Sequence, residues 1–396
     1  MTSDPWLLPE GVDERLPEQA ADLEALRRRL LDLFFTWGYQ LVDPPFIEYL
    51  ESLLVGTGRD LDLMTFKLID QVSGRLLGVR ADITPQAARM DAHQLRRETP
   101  TRLCYLGTVL HTRSEGFPGS RNPLQIGAEL FGHAGIESDI EVLRLMMRLL
   151  ELAGAESVHL DLGHVGLFRG LARQAGLEAT QEAELFDALQ RKAIPEIEEM
   201  LARFRLAPKV AGMLRALADL NGEDVLDQAR SKLAAAIPEV GEAIEHLAEV
   251  AAAMRSWLPE VRVNFDLAEL RGYNFHTGIV FAAYVPGLGR EILRGGRYDG
   301  VGKIFGRDRP ATGFSADLKL LANLGRGLRG PPPGGIFAPW SPDPELQLEV
   351  ERLRARGMQV IGELPGQSGG AAEMGCDRVL VRRGGRWELL DLPSGT

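Results

Sequence analysis

Three short stretches carry residue types at a spacing that could hold a small polar ligand. In LQIGAELFG, strand alternation sets Leu124, Ile126, Ala128 and Leu130 on one face and Gln125, Gly127, Glu129 and Phe131 on the other. An amide and a carboxylate on one face, with a glycine between them leaving room above the sheet, suit the floor of a pocket. In RADIT, Arg80, Asp82 and Thr84 share a side at the same spacing. In LRGYNFHTGIVF, Arg271 stands between an apolar strand and a Gly-rich turn, with Tyr273, Phe275 and His276 close behind. Two acids, an amide, a fixed cation and aromatic rings together suit a zwitterion with a ring side chain. An ammonium would go to Asp82, Thr84 or Gln125, a carboxylate to Arg271, and an imidazole N–H to Glu129. Each residue alone also has a plainer role: a solvated sheet face, a helix N-cap at Thr84, a structural Arg271 or a core-edge His276.

Other chemistries lack their signatures. ILRGGRYDGVG has a glycine pair but neither a dinucleotide fingerprint nor a P-loop, so phosphate binding does not follow from it. The seven histidines are scattered, and Cys104 and Cys376 have no metal spacing, which predicts idle thiols in a reducing compartment. No nucleophile–base pair is evident.

These residues need strands and helices to position them. Leu23, Leu26, Leu30, Leu33, Phe34 and Trp37 recur at helical spacing ahead of Gly38, predicting an amphipathic helix with a glycine at its end. MTFKLID and RLLGVR flank Ser73 and Gly74 as a hairpin, Thr84-Pro85 opens a short helix, and RLCYLGTVL pairs with LQIGAELFG. Ser138 and Glu141 have capping-box spacing before a long helix that ends by Gly154. SVHLDLGH resumes the sheet. From Gly166 to Trp257 the composition turns to Ala, Leu, Glu and Arg, punctuated by Pro195, Pro208 and Pro238, which predicts an all-helical insertion. Strand signals return in VRVNFDL, GIVFAAYV and REILRGG, so an α+β fold with a largely antiparallel sheet is expected. PPPGG, Pro331 to Gly335, is a linker to a small α/β tail. The expected organisation is one domain over 1–330, including an insertion at 166–257, and a second over 331–396.

The 396 residues carry a formal charge of −11, which argues against a broad polyanion-binding surface. MTSDPWLLPEG lacks the basic start and apolar core of a signal peptide, and no run nears the roughly 18 apolar residues of a membrane span. A cytoplasmic protein with no membrane partner is the expectation.

The order RADIT, RLCYLGTVL, LQIGAELFG, LRGYNFHTGIVF, GGRYDG and ATGFSADLKLL resembles the catalytic domain of histidyl-tRNA synthetase, over residues 1 to about 325. The resemblance implies a class II synthetase fold: an antiparallel sheet flanked by helices. It also implies a histidine pocket of Asp82, Thr84, Gln125, Glu129 and Arg271, with Phe275 and His276 where that family has a tyrosine pair. Two departures matter. Where the family's motif 2 strand ends in an arginine on the ATP α-phosphate, this chain has His111, and where the motif 3 arginine lies against ATP it has Leu320. His111 is a weak cation and Leu320 no donor, and losing one such donor removes roughly 3 kcal/mol of transition-state stabilisation. Arg113 and Lys319 are the nearby cations that could substitute. The family's larger anticodon-binding domain is absent or shortened after PPPGG.

A synthetase-like chain with an amino-acid pocket, without the ATP arginines and with a reduced tRNA reader, is similar to the regulatory subunits of ATP phosphoribosyltransferase. LLPEGVDERLPEQA and GAELFGHAGIESDIEVLRLM share that likeness. It implies a non-catalytic subunit of the first step of histidine biosynthesis, without cofactor, metal or tRNA. Such a subunit activates the short catalytic subunit, conveys feedback inhibition by histidine, and forms a homodimer inside a hetero-oligomer. The alternative is a divergent histidyl-tRNA synthetase or another ATP-dependent histidine ligase.

Overall fold

A computed structural model describes residues 6–54, 59–114, 119–268, 275–325 and 334–392. The chain forms two compact units, 1–326 and 327–396.

The strands of the first unit, in chain order, are β1 (Gln40–Val42), β2 (Ile47–Tyr49), β3 (Phe66–Ile69), β4 (Leu76–Val79), β5 (Thr101–Thr108), β6 (Leu124–Phe131), β7 (His159–His164), β8 (Asn221–Gly222), β9 (Arg262–Asp266), β10 (Ile279–Tyr284), β11 (Leu293–Arg297) and β12 (Ala311–Asp317). Nine form one sheet in the order β1-β5-β6-β12-β11-β10-β7-β9-β8, while β2-β4-β3 make a small second sheet. The large sheet is antiparallel except at β1–β5 and β7–β9, which pair in parallel across long connections.

One face of the sheet is covered by helices Pro17–Thr36, Ile136–Leu152, Val165–Ala175 and Pro238–Trp257. Leu26, Leu30 and Phe34 recur on one stripe of the first helix and meet Ile126, Ala128 and Leu130, the apolar alternates of β6, in the main core. The segment expected to be an all-helical insertion is helical except at one point. Asn221–Gly222 extends the sheet edge by pairing with β9. Its helices share the core of the sheet instead of enclosing their own.

Local expectations fared unevenly. The β3–β4 and β5–β6 hairpins form in register. The capping box at Ser138 does not: the helix starts at Ile136, Ser138 Oγ donates to the Gly135 and His133 carbonyls, and Glu141 is drawn away by Arg102 and Tyr39. A tertiary ion pair outweighs a local cap here, because two parallel N–H···O bonds at 2.7 Å are available to Glu141.

The second unit is a sheet of β13 (Gly335–Ala338), β14 (Val360–Gly362), β15 (Cys376–Arg383) and β16 (Arg386–Asp391), ordered β14-β13-β15-β16. Helix Pro344–Ala355 buries Leu346, Val350 and Leu353 against Ile336, Ala338 and Leu380. Cys104 and Cys376 are both buried and free, and burial pushes the Cys104 thiol up to about 12, leaving it inert. Among the described residues no helix is long and apolar enough to cross a membrane, and no cluster of His, Cys, Asp or Glu could hold a metal ion.

Candidate functional site

The face of β6 that carries Gln125, Gly127 and Glu129 does not meet water. Antiparallel pairing puts Leu103 and Tyr105 of β5, and Gly313 of β12, on the same face. A second, smaller apolar layer of Ile83, Ala87, Ala88, Tyr105, Phe131 and Tyr298 lies there. Helix Thr84–Arg89 supplies Ala87 and Ala88, its N-cap supplies Ile83, and together they cover the polar residues. The plainer reading of a solvated strand face is thereby overturned.

Glu129 is 1% exposed and lies between two tyrosines. Tyr105 donates to Glu129 Oε1 at 2.9 Å, and Tyr298 donates to Oε2. With its proton committed, the Tyr105 oxygen accepts from Thr84 Oγ1 at 2.9 Å. Two glycines make this possible. A Cβ at Gly313 would lie 1.5 Å from Glu129 Oε2, and one at Gly127 would lie 2.4 Å from the Tyr105 hydroxyl. Burial pushes the Glu129 carboxyl up to about 8, against the lowering effect of the hydroxyls of Tyr298, Tyr105 and Thr84. The tyrosines are held well above their usual range, first by burial and then by the adjacent acid.

Gln125 and Asp82 form the next link. Gln125 Oε1 accepts from the Ile83 N–H at 2.9 Å and Nε2 donates to Asp82 Oδ1 at 2.7 Å. The same Asp82 oxygen accepts from the Thr84 N–H at 3.0 Å. Asp82 therefore serves the helix start, and Thr84, expected as a possible N-cap, instead turns its hydroxyl to Tyr105. Arg80 leaves the group. Its guanidinium is buried against the carbonyls of Pro44 and Thr108, so alternation alone misjudged it. Phe275 stacks on Tyr298 at 4.8 Å and 24°, and His276 meets Phe275 edge-on at 5.6 Å. Burial lowers the His276 imidazole to about 4, so it is neutral near pH 7, and its Nδ1 donates to the Arg297 carbonyl at 3.3 Å. Arg271, the expected carboxylate partner, and Tyr273 lie outside the described residues.

Tyr105 and Tyr298 were missed in the sequence, although a signal for Tyr105 was present. Antiparallel pairing of RLCYLGTVL with LQIGAELFG sets Tyr105 against Gly127, a large side chain across from an absent one.

The far end of the same hairpin is built differently. His111 Nε2 lies 2.9 Å from the Ala81 carbonyl and so donates to it. Arg121 gives its guanidinium to the His111 and Glu10 carbonyls, and Lys319 pairs with Asp13 at 2.8 Å. Asp13 is further held by Asn122, which donates from Nδ2 to its carbonyl at 2.9 Å and accepts from its N–H. Leu320 packs into the main core, and Arg113 is exposed. Arg121 and Lys319 are thus engaged by the chain's own N-terminal segment and backbone.

These features define a class II synthetase-like protein, and the histidyl-tRNA synthetase family model matches residues 11–321. A structure described as an ATP phosphoribosyltransferase regulatory subunit/histidyl-tRNA synthetase from Bacillus halodurans superposes with a TM-score of 0.83 at 26% identity, covering 96% of this chain and 98% of that one. The ATP phosphoribosyl transferase (HisG:HisZ) complex from Thermotoga maritima shares the fold, with a TM-score of 0.57 at 18% identity over 74% of this chain and 96% of that one. The narrower assignment rests on two further matches. Residues 333–390 match the ATP phosphoribosyltransferase subunit HisZ C-terminal domain. The ATP phosphoribosyltransferase regulatory subunit of Alkalilimnicola ehrlichii is 60% identical over 385 residues, 96% of each chain, and that of Thioalkalivibrio sulfidiphilus is 57% identical over 98% of this chain and 99% of its own. The chain belongs to the family of ATP phosphoribosyltransferase regulatory subunits.

Proposed function

We propose that this regulatory subunit activates a separately encoded short catalytic subunit and carries the histidine signal to it through the pocket around Glu129. The observation that carries this reading is the contrast within one hairpin. A buried acid flanked by hydroxyls and an amide lies at one end, and cations engaged by the chain's own groups lie at the other. Glu129 with Tyr105 and Tyr298 suits an imidazole, Asp82, Thr84 and Gln125 suit an ammonium, and Phe275 and His276 close the aromatic side. Arg271 is proposed as the carboxylate partner. For inhibition to follow, histidine must bind one arrangement of the assembly more tightly than another, with a coupling of typically 1–3 kcal/mol.

The subunit is proposed to act in the cytoplasm, without tRNA. It is also proposed to self-associate within the hetero-oligomer, a reading supported by exposed apolar residues: Leu41 on the edge strand β1, Phe35 on the first helix, and Ile47, Ile69 and Leu76 on the small second sheet.

The direct test mixes this chain with the short catalytic subunit and assays phosphoribosyl transfer with and without histidine. Activity should require this chain, and Glu129→Ala should abolish inhibition by histidine while sparing activation. Inhibition unchanged in Glu129→Ala would sink the pocket assignment. Histidine-dependent ATP–pyrophosphate exchange by this chain alone would instead favour a ligase.

A further inference from the structure

A line of half-buried and buried polar groups runs from the helical segment to the back of the pocket, and its hydrogen bonds give each proton a place. The Gly166 N–H, an orphan donor at the start of helix Val165–Ala175, donates to His164 Nδ1 at 3.1 Å. His164 Nδ1 therefore carries a lone pair, and the proton of the neutral ring sits on Nε2. That nitrogen lies 3.3 Å from His246 Nδ1, so His246 accepts there and keeps its own proton on Nε2. His246 Nε2 lies 3.2 Å from Asp139 Oδ2, to which it donates. The same oxygen accepts from Arg297 Nε at 3.1 Å and lies 3.0 Å from Nη2. Asp139 Oδ1 is buried without a partner, so all of this carboxylate's anchoring runs through the oxygen that His246 and Arg297 share.

Arg297 has no slack left. Its other donors reach Ser138 Oγ, Asp299 and the carbonyls of His133 and Gly135. Its own carbonyl holds His276, and the next residue, Tyr298, donates to Glu129. A second tether runs the same way, because Arg169 of helix Val165–Ala175 donates to the His276 carbonyl at 3.2 Å.

We propose that His246 is a positioning residue that fixes Asp139 and, through Arg297, the placement of Tyr298 and His276, so that the seat of helix Pro238–Trp257 on the sheet sets the shape of the pocket. The histidine-affinity part of this inference rests on the reading of that pocket as the histidine site, whereas the mechanical part does not. The groups facing the histidine pair are Asp139, Arg169 and Arg297. Burial, and next the neighbouring His246, holds His164 down to about 3, so its ring is neutral near pH 7 and donates from Nε2.

The test compares His246→Gln, whose amide N–H takes the place of Nε2–H, with His246→Leu, which has no donor. In the ligand-free protein, His246→Leu should speed amide hydrogen exchange at His276 and at Gly296 to Tyr298, and His246→Gln should restore protection. Histidine affinity, measured by calorimetry, should fall roughly tenfold in the Leu variant and recover in the Gln variant. If the Leu variant does not fold, His246→Asn, too short to reach Asp139, gives the same readouts. Exchange changes confined to residues around 164 and 246, with histidine affinity intact, would overturn the inference. If the wild-type chain binds no histidine, the pocket reading falls and the ligand-free exchange experiment alone decides the mechanical part.

Discussion

The two ends of the β5–β6 hairpin share strands, helices and core, yet they treat charge in opposite ways. At the Glu129 end an acid is sealed from water, which raises its proton affinity, and the hydroxyls that meet it only partly offset that rise. At the His111 end the cations Arg121 and Lys319 are met by carbonyls and by Asp13, and the side chain at position 320 is apolar. A site that neutralises phosphates needs cations free to reach them. On the proposed reading, one scaffold keeps a seat for an amino acid at one end of the hairpin while the cations Arg121 and Lys319 at the other end are already engaged.

The largest expected effect is at the sealed end and depends on pH. Above 4.5 the unfolded chain ionises Glu129, while the native carboxyl, raised to about 8, keeps its proton. The native state then binds more protons, so Glu129 makes stability fall as pH rises between those values, by up to about 1.4 kcal/mol per pH unit. Glu129→Gln, neutral throughout, should lose that slope. Urea unfolding of the two proteins should diverge steadily from pH 4.5 to pH 8, with the variant the more stable at the upper end. Parallel curves would mean that the native carboxyl is ionised, and the contrast between the ends would weaken.

A smaller effect probes the space around the acid. Alanine at Gly313 would put a Cβ 1.5 Å from Glu129 Oε2 and 2.7 Å from the Ala128 carbonyl. The backbone cannot yield as a side chain can, so Gly313→Ala should cost about 1–3 kcal/mol in chemical denaturation and weaken histidine binding as well. A variant of unchanged stability would show that β12 can move away from the pocket floor.

Gly313 also marks how far the sequence could be read. Alternation made the shared face of Gln125 and Glu129 legible, because a strand's period is set by the backbone itself. What covers that face was not legible from one strand. Tyr105 sits in an apolar run that reads as core, and Tyr298 follows a glycine pair that reads as a turn. Tyr105 takes its role from cross-strand register and Tyr298 from a contact made just past the end of β11, neither of which local pattern reports. Arg80 and the Ser138–Glu141 pair failed for the same reason: each followed a sound local rule that a distant carbonyl or guanidinium overrode.

The smallest effect belongs to the far end. Asp13 is about two-fifths exposed and Lys319 largely covered. An ion pair of this kind contributes at most about 1 kcal/mol, because water solvates the free partner well and salt screens the attraction. Asp13→Asn should therefore lower stability by less than about 1 kcal/mol in low salt, and the difference should vanish near 1 M salt. It should leave histidine binding unchanged, since Asp13 anchors the N-terminal segment to Asn122 and Lys319 and not to the Glu129 network. A loss of histidine affinity in Asp13→Asn would show that the two ends of the hairpin are coupled, and that engaging the cations is part of how the pocket is held.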